Sequence, residues 1–181
     1  MTVVIKDVLE SKCYSKPELC SILEISDFEF TSLLTKNTLH MEEFQLAQRA
    51  EHVFQEATRV MNFKSVCENS SGDKIHELGR LMNESHESCR DLYDCSHPDL
   101  DELVRISLEA GAKGSRLTGA GWGGCCVSLV MENQVDEFLN AVKRNFYGKK
   151  ALSQTIDVET VMFLSKPSGG AVIYIVDNYA V

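Results

Sequence analysis

The sequence has no run of about eighteen or more apolar residues, so nothing in it has the length of a membrane-spanning helix. Its first ten residues, MTVVIKDVLE, mix acids with apolar side chains where a secretory leader would be basic and then apolar. There is no basic stripe either: 18 Lys and Arg stand against 27 Asp and Glu, a net charge of −9, which leaves little to attract a phosphate backbone and argues against nucleic-acid binding. The seven cysteines, at 13, 20, 67, 89, 95, 125 and 126, form no CxxC pair and no zinc-ligand spacing, and the histidines make no metal-ligand pattern with carboxylates. Reduced, mostly buried thiols in a cytoplasmic protein are expected, with no metal site. Internal repeats and low-complexity tracts are missing, and the only linker candidates are 69–73 and 149–157.

What is present is the composition of a folded domain: 181 residues, 44% apolar and 25% charged. The first half reads helical. Ser15 with Glu18, and Ser26 with Glu29, have the capping-box spacing, in which a hydroxyl caps one backbone N–H and a carboxylate reaches back to another. From Met41 to about Glu68, Phe44, Ala47, Ala50, Phe54, Ala57 and Met61 recur every three or four residues and predict the buried stripe of a long helix; Glu43, Gln48, Arg49, Glu56 and Arg59 fall on its expected wet face. NSSGD at 69–73 breaks it, and Ile75, Leu78, Met82, Cys89 and Leu92 restart the period to about Tyr93, completing a helical hairpin. Ser96, Pro98 and Asp99 signal another start, with Leu100, Leu103, Val104 and Leu108 on its buried face and Gly111 at its end. Thereafter the period changes to two. CCVSLVM reads as a strand, Val135 to Gly148 as a helix, and ETVMFLS and AVIYIV as further strands around KPSGG. Helices first, then β, β, α, β, β, predict an α+β fold with an antiparallel sheet.

Between the two halves lies GSRLTGAGWGGCC, residues 114–126, which gathers five of the 11 glycines beside Trp122, the single tryptophan. Gly119, Gly121 and Gly124 satisfy G-x-G-x-x-G, but a dinucleotide site needs a helix directly after the loop, and here a strand pattern follows. Protein kinases place such a loop between strands, yet no lysine strand, HRD loop or DFG segment follows it. By itself the stretch reads as a tight turn with glycines at positive φ; the excess of glycine adds a second reading, close approach of backbone to a phosphate or to another glycine-rich loop. Arg116 is its one cation, expected in a surface or interdomain ion pair more than on a phosphate. His86 and Cys89 are helical neighbours without an oxyanion hole or a third catalytic member, so His86, like His52 and His76, is expected as a partly exposed helix histidine. Asp91, Asp94, Asp99, Asp101 and Glu102 are expected as helix-start charge and solvated surface.

GSRLTGAGWGGC resembles the third motif of the GHMP small-molecule kinases, in the form found in galactokinases and N-acetylgalactosamine kinases. The resemblance continues through KCYSKPELCSILEIS, QRAEHVFQEATRV, LMNESHESCRDLYDCSHPDLDELV and LSKPSGGAVIYIV, and so covers nearly the whole chain. It implies a ferredoxin-like GHMP kinase C-terminal domain over 1–181, with a helical extension and hairpin at 1–95 and a glycine-motif α+β core at 96–181. It also implies ATP- and Mg²⁺-dependent phosphorylation of galactose or N-acetylgalactosamine at the anomeric hydroxyl. The family's GRVNLIGEHTDY-like sugar segment, PxGLSSS phosphate loop and MDQ segment do not occur here. The chain is therefore expected to be the C-terminal portion of such a kinase, beginning at a methionine internal to the complete protein and partnered by an N-terminal half. On this reading no catalytic residue lies in the chain, and neither ATP nor Mg²⁺ binds it tightly alone. Gly114, Ser115, Arg116, Thr118, Gly119, Gly121, Gly123 and Gly124 support the phosphate loop of the missing half, with Leu117, Ala120 and Trp122 in the same motif. The competing expectations are an inactive sugar-sensing or protein-binding module, and a truncated gene product.

Overall fold

The computed structural model describes residues 8–69, 72–149, 157–166 and 169. Near the N-terminus both capping boxes form, because each needs only residues three apart. Ser15 Oγ accepts the Glu18 N–H at the start of α1 (Lys16–Leu23), and Ser26 Oγ accepts the Glu29 N–H at the start of α2 (Asp27–Leu33). In return the Glu18 and Glu29 carboxylates accept the Ser15 and Ser26 N–H groups, both at 2.8 Å. A two-residue ladder, β1 (Tyr14–Ser15) antiparallel to β2 (Glu43–Phe44), closes this region. Tyr14, Leu19 and Phe30 form its core, with Phe44 edge-on to Phe30 at 5.4 Å.

The long helix, α3, spans Leu46–Glu68; the residues from Met41 that the periodicity also assigned to it are not helical, and Glu43–Phe44 form β2 instead. Its orientation also departs from expectation. Ala47 is buried, but Ala57 is exposed and Met61 is 63% exposed, while Glu56 and Arg59 turn inward. The reason is the partner: α4 (Lys74–Ser88) presents Ser85 to α3, and a carboxylate meets that hydroxyl where a methyl group would leave it unpaired. Val53, Ala57, Val60 and Met61 are left as a bare apolar stripe.

Helix α4 begins at Asp73, whose carboxylate accepts the His76 N–H. It runs into a π turn, Cys89–Tyr93, which ends at Asp94 with φ 60°. Helix α5 (Pro98–Glu109) is capped by His97 rather than by Ser96, whose hydroxyl instead donates to Asp101. Leu100 and Val104 are buried as expected, joined by Ile106, whereas Leu108 is 36% exposed. Then come β3 (Gly114–Thr118) and β4 (Cys125–Leu129), antiparallel with Ser115 opposite Ser128 and Leu117 opposite Cys126. Helix α6 (Val135–Val142) and a second π turn (Lys143–Tyr147) bury Phe138, Val142 and Phe146 against Ile106 and Ala112.

The mixed α+β class is as expected, with one change. The stretch ETVMFLS contains a short helix, α7 (Val158–Val161), followed by irregular chain, and Phe163 is 86% exposed. Among the described residues no ladder partner lies beside it, and an alternating pattern without one has no backbone bonds to hold it extended. AVIYIV lies outside the described residues. No helix among those described is long and apolar enough to cross a membrane.

Candidate functional site

The glycine stretch is the tip of the β3–β4 hairpin, and three elements hold the hairpin in place. Helix α4 lies against the outer edge of β3. Asn83 and His86, three residues apart on one helical face, meet Ser115 and Leu117, two residues apart on one strand edge. The Asn83 Oδ1 accepts the Ser115 N–H at 2.9 Å, and His86 Nδ1 accepts the Leu117 N–H at 3.3 Å. An edge whose N–H groups would otherwise stand unpaired is thereby satisfied by side chains. Contact this close requires Gly114: a Cβ there would sit 2.5 Å from the backbone of Gly79 on α4.

His86 is 3% exposed and His52 is 8% exposed, so both are buried, contrary to the expectation from sequence; His76 alone of the three is exposed. Each has a specific partner. His52 Nδ1 lies 2.9 Å from Ser88 Oγ, with its ring 4.7 Å from that of Tyr93. Because His86 Nδ1 is an acceptor, its proton sits on Nε2, which lies 3.2 Å from Asp101 Oδ1. Burial pushes the His86 pKa down, against the opposing pull of Asp101, so the ring stays neutral. Asp101, expected in solvent, thus faces a buried imidazole.

On the α3 side, Glu56 collects three partners: the Ser85 hydroxyl at 2.5 Å, Arg59 at 2.6 Å and Arg116 at 3.4 Å. Burial works to raise its pKa, but these donors outweigh burial and hold the carboxyl below its ordinary range. Arg116 also donates from Nε to the Leu117 carbonyl. Arg116 does form an ion pair, but half-buried and within the domain rather than at its surface or between domains, and Glu56, absent from the sequence-derived candidates, is its partner.

The third support lies at the tip. Gly121 has φ 86°, and a Cβ there would stand 2.0 Å from the Cys95 carbonyl oxygen. That same oxygen accepts the Trp122 backbone N–H at 2.7 Å, and the Trp122 indole N–H donates to the Asp94 carbonyl at 3.0 Å. Beneath, Cys89 and Cys95 pack with Leu100 and Leu117. Burial pushes the Cys89 thiol up to about 11, which makes it a poor nucleophile. These two are the only cysteines fully buried; Cys13, Cys67 and Cys125 are exposed, so the expectation of mostly buried thiols does not hold, and all seven are free.

The motif residues therefore divide. Gly114 and Ser115 are buried in the hairpin base, Ser115 completely, with its hydroxyl 2.9 Å from that of Ser128. Arg116 is bound to Glu56 and Gly121 to Cys95. Thr118 is exposed, and at Gly119, Gly123 and Gly124 a Cβ would meet nothing within 4 Å. These last four residues form the open side of the tip. No group of three or more His, Cys, Asp or Glu that could hold a metal ion occurs among the described residues.

Comparison with known proteins bears on the whole hairpin and the helices that brace it. Residues 67–148 match the family described as GHMP kinases, C terminal. The galactokinase of Dictyostelium discoideum is 40% identical over 185 residues, covering 91% of this chain and 37% of that protein. The galactokinase of Saccharomyces cerevisiae is 36% identical over 185 residues, covering 96% of this chain and 35% of that protein. Among solved structures, the galactokinase of Lactococcus lactis complexed with galactose superposes with a TM-score of 0.52 at 31% identity, over 71% of this chain and 31% of that one. The chain spans about a third of the length of these relatives. A glycine hairpin braced by α4 and α5, lying inside a matched segment of this kind, makes the chain a member of the GHMP kinase family that carries its C-terminal domain.

Proposed function

We propose that this chain is the C-terminal part of an ATP-dependent sugar-1-kinase. The substrate is galactose, the sugar named with the relatives above, and N-acetylgalactosamine is the nearest alternative. The observation that carries the reading is the open side of the hairpin tip. On a loop anchored at Cys95, Glu56 and α4, Thr118, Gly119 and Gly124 are exposed and Gly123 is half-buried, and a Cβ at any of the three glycines would meet nothing within 4 Å among the described residues. Phosphoryl transfer is catalysed chiefly by positioning and by fixed donors aimed at developing charge. A rigid loop of uncovered amides suits that task, either beside a phosphate or behind a second loop that holds one.

In the complete kinase, ATP would supply the γ-phosphoryl group, and Mg²⁺ would offset its charge. The described residues do not fit Mg²⁺, since no cluster of metal-binding side chains occurs among them, and no step is assigned to it here. The catalytic groups belong to the N-terminal half, which this chain supports through Gly114, Ser115, Arg116, Thr118, Gly119, Gly121, Gly123 and Gly124. Of these, the buried Ser115 and the paired Arg116 act by holding the loop. The domain comprises 1–181, with 1–95 as extension and hairpin and 96–181 as the glycine-motif core. Seven free thiols, two of them buried side by side, suit the reducing cytoplasm.

The bare stripe of Val53, Ala57, Val60 and Met61 favours a second reading, a module that binds a protein partner without catalysis. One experiment separates the two. The chain is assayed for galactose phosphorylation alone and after co-expression with the N-terminal segment of a galactokinase. Activity only in the combined sample supports the kinase reading. Robust activity from the chain alone would overturn the division of labour, and stable assembly without turnover would favour the binding module.

A further inference from the structure

Among the described residues, three that are not glycine take positive φ: Glu24, Asp94 and Trp122. Two of the three touch each other. The Trp122 indole N–H donates to the carbonyl of Asp94, and the next carbonyl, that of Cys95, accepts the Trp122 backbone N–H. A left-handed backbone is costly for a bulky side chain and persists only where the surroundings over-determine it. Both outliers thus sit at one contact, between the end of the π turn and the tip of the glycine hairpin. The contact is tied in turn to α3: the Arg49 guanidinium donates to the Leu92 carbonyl and lies 3.6 Å from the Asp94 carboxylate. Yet Trp122, whose indole closes the contact, is 63% exposed, so burial does not account for its place.

We propose that Trp122 is a positioning residue for the hairpin tip: with Asp94 and Arg49 it forms a latch that fixes the direction of the open backbone at Gly123 and Gly124. This deepens the kinase reading above and rests on it for the use of the tip. The chemistry of the side chain explains the choice. Gly121 on one side and Gly123 on the other let the chain turn, but flexible backbone alone would leave the tip mobile. A tryptophan supplies what a phenylalanine lacks, a ring donor able to cross to a carbonyl on a neighbouring element. Arg49 completes the latch by holding Leu92 and Asp94, on the accepting side of that bond.

The test uses the chain by itself, so its outcome is separate from that of sugar phosphorylation. Trp122 is the sole tryptophan, so fluorescence reports this site alone. The wild-type emission is expected to be that of a solvent-exposed indole, with an anisotropy decay that follows whole-molecule tumbling. R49M leaves the indole in place but is expected to add a fast local component. W122F, which keeps an aromatic ring and loses the ring donor, is expected to speed exchange of its own backbone amide about tenfold, the loss of one net hydrogen bond. The Leu117 amide, bonded to His86 at the hairpin base, should keep its wild-type rate. In the assembled kinase the same two variants should lower kcat severalfold and leave KM for galactose nearly unchanged, as expected when geometry rather than binding is disturbed. Fast indole motion in the wild type, unchanged exchange in W122F, or equal acceleration at Leu117 would each overturn the latch.

Discussion

Replacing Gly121 by alanine tests the tip most sharply, because two separate costs fall on one residue. The first is conformational: at φ 86° an L-residue pays about 1–2 kcal/mol for the left-handed backbone. The second is steric, since the new Cβ would lie 2.0 Å from the Cys95 oxygen and 3.2 Å from the Cys95 Cβ, both on chain already packed under the hairpin. Relief requires the tip to lift, which breaks the Trp122 N–H bond to Cys95 and the indole bond to Asp94, each worth about 1 kcal/mol net. The sum is about 3–4 kcal/mol. Gly119 provides the internal control, because its φ is 88° but a Cβ there meets nothing within 4 Å. G119A should therefore lose only the conformational part, about 1–2 kcal/mol. Urea unfolding followed by far-UV circular dichroism should show the two variants separated by about 2 kcal/mol, or about 4–8 °C in Tm. Equal destabilisation of G119A and G121A would refute the close approach to Cys95.

Other expectations follow from the braces of the hairpin. Lowering the pH should weaken the fold through His86: its folded-state pKa is depressed, so its contribution is complete above the unfolded value of about 6.5 and is lost as pH falls through the folded value. H86Q keeps an acceptor without titrating, and should flatten the stability profile over that window, measured as Tm against pH. E56Q should cost about 1–3 kcal/mol by urea unfolding, since it strips charge from bonds shared by Ser85, Arg59 and Arg116, and R116M introduced into E56Q should cost less than R116M alone. Leu117 is 1% exposed between α4 and α5, so L117A should cost about 2–5 kcal/mol in the same assay.

How much of this was legible in the sequence depended on the range of the interaction that decides each feature. The capping boxes at Ser15 and Ser26 are settled within four residues and were read correctly, as were the break after Glu68 and the end of α5 at Gly111. The face of α3 was not. Periodicity tells which side chains share a side of a helix but not which side finds a partner, and Ser85 drew Glu56 and Arg59 inward. The glycine stretch announced a tight turn by its composition. Its anchors lay elsewhere in the chain: Asn83 and His86 act through the register of a helix against a strand, and Asp94 and Cys95 act through carbonyls that every residue type carries. Only the spacing of Asn83 and His86, one helical turn apart in NESHES, hinted at a shared face.

The use of the tip is tested most directly by amide hydrogen exchange at Gly119, Gly123 and Gly124. Rates are measured in the chain alone and in the kinase assembled with its N-terminal segment and nucleotide. These three amides donate none of the backbone hydrogen bonds of the described turns and loops, and they are expected to exchange freely in the chain alone and to slow by about tenfold or more on assembly, as groups that gain a hydrogen-bonded neighbour do. Rates that stay fast in an assembled enzyme actively turning over galactose would contradict a role for this backbone in phosphoryl transfer.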